Sequence, residues 1–171
     1  TAAAFATDAR IAFHQAADRA GFAGALNAAL QSGQAGHVTL LPAHSRLSPD
    51  ALLQLAEKLT AQPGLELVYT DEDCMDDTGV RSAPGFKPDW SPALALSGLF
   101  PGHLSVMSRA RLDALGGFRE AYSLVPWYDV LLRLTENLPA DRVAHVPHVC
   151  HHARTGVPLI TDLADPSIEQ A

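Results

Sequence analysis

The stretch 65-LELVYTDEDCMDDTG-79 carries the reading of this chain. Leu65 to Thr70 is apolar, rich in strand-forming residues and preceded by Pro63-Gly64, which predicts a buried strand. The strand ends in three acids, Asp71, Glu72 and Asp73, and Asp77-Thr78-Gly79 then reads as a turn. An extended chain alternates its side chains, so Asp71 and Asp73 point to one side. Two carboxylates so placed could hold Mg²⁺ or Mn²⁺, or could line a cleft without a metal.

Upstream, His37 to Leu41 is a second buried-strand candidate, and Arg10 to His14 a third, shorter one. Gly21 to Leu30 (GFAGALNAAL) has its apolar residues at helical spacing and is closed by Gly33 and Gly36. Ser48-Pro49-Asp50 predicts a helix start, with Ser48 as cap and Pro49 at the first helical position. Leu52, Leu55, Ala56 and Leu59 then form its apolar face. Strands alternating with helices imply an α/β fold, a mostly parallel sheet flanked by helices with an antiparallel edge. Leu40, Leu41, Leu67, Val68 and Val106 are expected inside it. Ligands of such sheets gather at the C-terminal ends of the strands, which points to the loops after Leu41 and Thr70.

Downstream, Ser91-Pro92 opens a short helix, His103 to Met107 is a strand, and Ser108 caps a helix that Gly116-Gly117 ends. Pro126 to Asn137 carries Val130, Leu131 and Leu134 at helical spacing. Asp129 and Arg133 lie one turn apart on it and predict an ion pair. Arg142 to Arg154 is extended. Residues 1–156 form one domain, and 157–171 an irregular tail.

Composition narrows the function. The chain has 171 residues, 47% of them apolar, which suits one packed domain. Its formal net charge is −7 and its basic residues are scattered, which argues against a nucleic-acid partner. The most apolar stretch, Pro92 to Met107, is broken by Gly98, Pro101, Gly102 and His103, so no membrane span is expected. Cys74 and Cys150 form no framework, and a reducing cytoplasmic setting, peripheral at most to the inner membrane, is the expectation. His148, Cys150 and His152 would share one face of a strand and make a zinc site conceivable. Lys87, Asp89 and Trp90 read as anchors of a packed loop.

GFAGALNAAL, LVYTDEDCMDDTG, FKPDWSPALALS, GHLSVMSR, LGGFRE, YDVLLRLTE and HVPHVCHHAR follow one another in order. Together they resemble the family 2 glycosyltransferases of bacterial surface-polysaccharide synthesis, rhamnosyltransferase-like proteins among them, from about Ile11 to Arg154. The resemblance implies a GT-A (Rossmann-like) fold, a nucleotide-sugar donor, a glycan acceptor and a divalent metal, Mg²⁺ or Mn²⁺. It implies substrate-binding roles for Asp71, Glu72, Asp73, His103, His152 and Arg154, the last two near the diphosphate.

Three departures from the family pattern matter. The family carries a nucleobase-binding strand and loop upstream, roughly fifty residues or one βαβ unit. Little precedes GFAGALNAAL here, so an uncovered edge is expected, met by a homodimer or another chain. The family's Asp-x-Asp falls on Pro42 and His44, leaving His44 as a metal ligand of last resort beside Asp71 and Asp73. The family's general base falls on Trp127, which accepts no proton. The expected function is sugar transfer to an envelope glycan in the parent protein. The alternative is an inactive GT-A remnant kept for binding or assembly.

Overall fold

The computed structural model describes residues 7–13, 21–98, 100–122 and 125–156. The tail 157–171 lies outside the described residues, as does His14, while residues 10–13 form no strand. The helices are α1 (Gly21–Ser32), α2 (Ala51–Ala61), α3 (Pro92–Ser97), α4 (Arg109–Ala114) and α5 (Pro126–Thr135). The strands are β1 (His37–Val38), β2 (Arg46–Leu47), β3 (Leu67–Met75), β4 (Arg81–Gly85), β5 (Ser105–Ser108) and β6 (Val143–Arg154). No described helix is long and apolar enough to cross a membrane.

The expected mostly parallel sheet is not what forms. The strands join in the order β1-β5-β3-β6-β2, with β4 also on β3, and only β3 and β6 run parallel. The pairs β1–β5, β2–β6, β3–β4 and β3–β5 are all antiparallel. The sheet is therefore mixed and mostly antiparallel, not Rossmann-like. The reason lies in the connections. A helix between two strands makes them parallel neighbours only when it crosses over to the adjacent position. Here α2 leads from β2 to β3, yet β6 separates those strands. The turn after β3 drives the chain straight back. Asp76 accepts hydrogen bonds from the backbone N–H of Thr78 and of Val80, each at 2.9 Å, and Gly79 takes φ +88°. A chain reversed so tightly continues only as an antiparallel hairpin.

β3 divides one of its edges between two partners. Leu67–Tyr69 pairs with β5, and Glu72–Met75 with β4, while β6 runs along the whole of the other edge. Its apolar half alternates between two cores. Leu67 and Tyr69 face Met107, Leu112, Trp127, Leu131 and Leu134, under α1, α4 and α5. Val68 faces Val106, Leu104, Ala144 and Cys150, under α2. Leu67, Val68 and Val106 are buried as expected, whereas Leu40 is half-buried and Leu41 exposed, because the strand at His37 stops after Val38.

α2 starts with Asp50 at the N-cap position, not Ser48, whose hydroxyl instead donates to Asp50 at 2.8 Å. Its buried residues are Ala51 and Leu55, with Leu59 partly covered. Leu52 and Ala56 of the expected face lie on the exposed side. The cap assignments at Ser91 and Ser108 hold, each accepting from a backbone N–H three residues on.

Two polar clamps tie the helices together. Asn27 of α1 exchanges both amide hydrogen bonds with the backbone of Phe118, at 2.8 and 2.9 Å. Asp129 of α5, buried, forms the expected pair with Arg133 at 2.7 Å and a second with Arg119. Arg133 also donates to the carbonyls of Leu115 and Gly117, at 3.0 and 2.7 Å. Burial opposes the Asp129 charge, but Arg119 and Arg133 outweigh it and hold the carboxyl below its usual range. Asp129→Ala leaves the half-buried Arg133 guanidinium without its carboxylate and should cost about 2 kcal/mol in urea unfolding at pH 7. The folded carboxyl titrates below its unfolded value, so the wild-type advantage is full above about pH 4. It shrinks as pH falls further, and unfolding curves of the two proteins should converge on acidification.

Candidate functional site

Below Thr70, β3 changes from core strand to charged strand, and β6 lies parallel beside it with four of its histidines. The result is a carboxylate–imidazole ladder. Asp71 Oδ1 meets His145 Nε2 at 2.8 Å and accepts the Lys87 backbone N–H at 2.8 Å. Asp73 Oδ1 meets His152 Nδ1 at 2.5 Å, and its Oδ2 accepts from Arg81 Nε at 2.6 Å. Glu72 between them meets His103 Nδ1 at 3.2 Å, His151 Nδ1 at 3.4 Å and the Lys87 ammonium at 3.4 Å. The alternation that separates Leu67 from Val68 also separates Glu72 from its two neighbours. Asp71, Asp73, His103, His151 and His152 are all buried.

Lys87 belongs to the FKPDW segment, and its ammonium donates to the carbonyls of Thr70 and Pro101 at 2.7 and 2.8 Å. Burial pushes its pKa down, with Glu72 and Asp71 opposing. Burial would likewise raise the Glu72 carboxyl, but His103, His151 and Lys87 hold it well below the carboxylate range. Gly102 makes the close approach possible. Its φ is +76°, and a Cβ there would stand 2.6 and 2.7 Å from the Glu72 oxygens and against the Lys87 ammonium.

Two clefts flank the ladder. One, of about 490 Å³, is bordered by Asp71, Arg81, Phe86, Lys87, His145 and His148. The other, of about 220 Å³, is bordered by His44, Arg46, Asp76, Asp77, His152 and Arg154. His44, far from His152 and Arg154 in sequence, thus meets them at one opening. Glu72 and His103 border neither cleft.

The arrangement does not suit Mg²⁺ or Mn²⁺ at Asp71 and Asp73. Both oxygens of Asp73 are taken by Arg81 and His152, and Asp71 is held by His145 and a backbone amide. A hard octahedral cation needs several free oxygens at about 2.0–2.1 Å. His44 stands in the smaller cleft with no carboxylate pair bound to it. The three residues considered for zinc are not brought together. His148 pairs with Asp50 at 3.1 Å, His152 with Asp73, and Cys150 packs in the core below α2, where burial raises its thiol pKa.

Trp127 is 5% exposed and stacks on Phe118, with ring centroids 5.9 Å apart. Trp90 stacks on Phe100 and is half-buried, and Asp89 is exposed, 3.8 Å from His145. Five participants were not among the expected site residues: Arg46, Arg81, Lys87, His145 and His151. Their signal is pairing geometry, which no spacing within one segment displays.

The chain is similar to known proteins over most of its length. It is 39% identical over 149 residues to the O-antigen biosynthesis protein RfbC of Myxococcus xanthus, 87% of this chain and 12% of that protein. The chain is related to a polysaccharide biosynthesis protein. It is also 31% identical over 149 residues to the uncharacterized protein y4gI of Sinorhizobium fredii (strain NBRC 101917 / NGR234), 86% of this chain and 16% of that one. The chain thus spans a small part of the length of either relative. No protein-family model matches it.

Gly102→Ala tests the packing of the ladder. The substitution forces a left-handed backbone on a residue with a Cβ and drives that carbon into Glu72 and Lys87. It should lower stability by more than about 1 kcal/mol in chemical denaturation, whereas Gly79→Ala, whose Cβ meets open space, should lose only its backbone term.

Proposed function

We propose that this chain is a glycosyltransferase-derived part of an envelope-polysaccharide protein, one that holds the diphosphate of a nucleotide sugar without transferring the sugar on its own. The smaller cleft carries this reading. Two guanidiniums and two imidazoles, from Arg46, Arg154, His44 and His152, face two carboxylates, Asp76 and Asp77. Arg154 is half-exposed and paired with Asp77 at 2.6 Å. An exposed pair of this kind is worth about 0–1 kcal/mol, so a phosphate can exchange for the carboxylate at little cost. The guanidinium fork matches two phosphate oxygens. In this reading protein cations do what a divalent ion does in the family, and the acceptor glycan lies toward the larger cleft and Asp71.

Transfer needs a proton acceptor as well, and a positioned base contributes about 10²–10⁴-fold in rate. The family's base position holds Trp127, whose indole donates only and whose ring is packed in the core. Asp129, one step further along α5, is bound by two arginines. UDP and dTDP should therefore bind the chain in calorimetry without added metal. Arg46→Gln with Arg154→Gln should weaken binding at least about tenfold, the loss of one or two charged hydrogen bonds. Incubation with common nucleotide sugars should release no nucleoside diphosphate above the blank. Turnover that disappears on Asp71→Ala or Asp73→Ala would refute the non-catalytic reading, and equal binding by the double variant would refute the cleft assignment.

A further inference from the structure

Glu72, His103 and His151 form a cluster that neither cleft uses, and its polar atoms are not accounted for. His151 is fully buried, yet neither of its ring nitrogens has a hydrogen-bond partner among the described residues. His103 Nε2 is likewise buried and without a partner there. Of these nitrogens His151 Nδ1 is the one that faces Glu72, and a buried polar atom left unsatisfied there calls for a ligand.

The geometry points to the ligand. His103 Nδ1 and His151 Nδ1 both converge on one atom, Glu72 Oε2, at 3.2 and 3.4 Å. The His151 contact is long and poorly directed for a hydrogen bond, which is why its Nδ1 remains unpartnered. Both separations match the edge of a tetrahedron around zinc: bonds of about 2.0–2.2 Å at the tetrahedral angle place ligand atoms about 3.3–3.5 Å apart. The two rings stack nearly parallel, with centroids 5.0 Å apart and an interplanar angle of 17°. One ligand atom from each of the three residues falls within 4.8 Å of the other two.

We infer that Glu72, His103 and His151 form a structural site for Zn²⁺ or a similar four-coordinate divalent cation, tying β3 and β6 to the segment that leads into β5. The fourth position belongs to a water or to a shift of a neighbouring backbone carbonyl. Glu72 Oε2, the metal-facing oxygen, accepts the His103 backbone N–H at 3.1 Å with one lone pair and offers the other to the ion; Lys87 does not occupy it. It sits on Glu72 Oε1 and is held away by the carbonyls of Thr70 and Pro101, so the carboxylate can bridge ammonium and metal. Its charge opposes the ion, and the expected affinity is accordingly micromolar, below that of charge-rich thiolate sites. This site is separate from Asp71 and Asp73, and it does not depend on the proposed sugar-nucleotide role.

The test is a Co²⁺ titration of the chelator-treated chain, followed by visible absorption. The expected result is the intense d–d absorption of four-coordinate Co²⁺, saturating at a single equivalent and bleached by Zn²⁺, with Zn²⁺ also raising the thermal midpoint. Glu72→Gln and His151→Asn should each weaken binding at least a hundredfold. His148→Asn, which removes a half-exposed histidine paired to Asp50, should leave it unchanged. Circular dichroism of the metal-free variants identifies any that fail to fold, and the wild-type titration decides independently of them. Absence of tetrahedral absorption in the wild-type chain would overturn the inference and assign the buried nitrogens to internal water. Spectra that persist in a folded Glu72→Gln or His151→Asn variant, or that vanish in His148→Asn, would overturn it equally.

Discussion

The parallel pairing of β3 with β6 is the constraint on which the rest of the structure depends. One end of that pairing is apolar, with Leu67, Val68 and Tyr69 beside Val143, Ala144 and His145. The other end brings Glu72 and Asp73 beside His151 and His152. A single set of main-chain hydrogen bonds thus joins two cores and assembles the charged ladder. Irregularities in the register between Thr70 and Glu72 fall where one role gives way to the other. Such bulges re-aim side chains where a regular strand would hold them in strict alternation.

Much of this was legible in the sequence, for physical reasons that can be named. Capping chemistry is local, so Ser91-Pro92 and Ser108 marked α3 and α4, and Gly116-Gly117 marked the end of α4. Periodicity found α1 and α5. The Asp129–Arg133 pair followed from helical spacing, but its third member, Arg119, lies outside the helix and was invisible to that rule. Sheet topology was read wrongly because an alternating order of helices and strands does not specify which strands become neighbours. The tight Asp76–Val80 turn contained the contrary information, since it permits only a hairpin. The site was legible in part: Asp71, Glu72, Asp73, His152 and Arg154 do converge on one region. Their partners Arg81, His145 and His151 became visible only once β4 and β6 were placed against β3.

The burial of Trp127 and the saturation of Asp129 show that both residues belong to the framework of the fold. Trp127 lies against Phe118, which is held by Asn27, and the adjoining Arg119 binds Asp129. Residues 27, 118, 119, 127, 129 and 133 therefore act as one structural unit that locks α1 and α5 together. An acid at 127 would have to leave that unit to reach a substrate. The similarity to RfbC extends over 87% of the chain, a stretch that is a small part of the longer protein.

The divided edge of β3 has a consequence for how the ladder is spaced. β6 follows β3 along its full length, but the register shifts on either side of Asp71, so the acid–imidazole pairs are not evenly spaced along the strands. Each rung is modular: the partners of Asp71 and of Asp73 are different residues on different segments, Lys87 and His145 for one, Arg81 and His152 for the other. A rung can be rewritten in chemistry while its neighbours keep their positions.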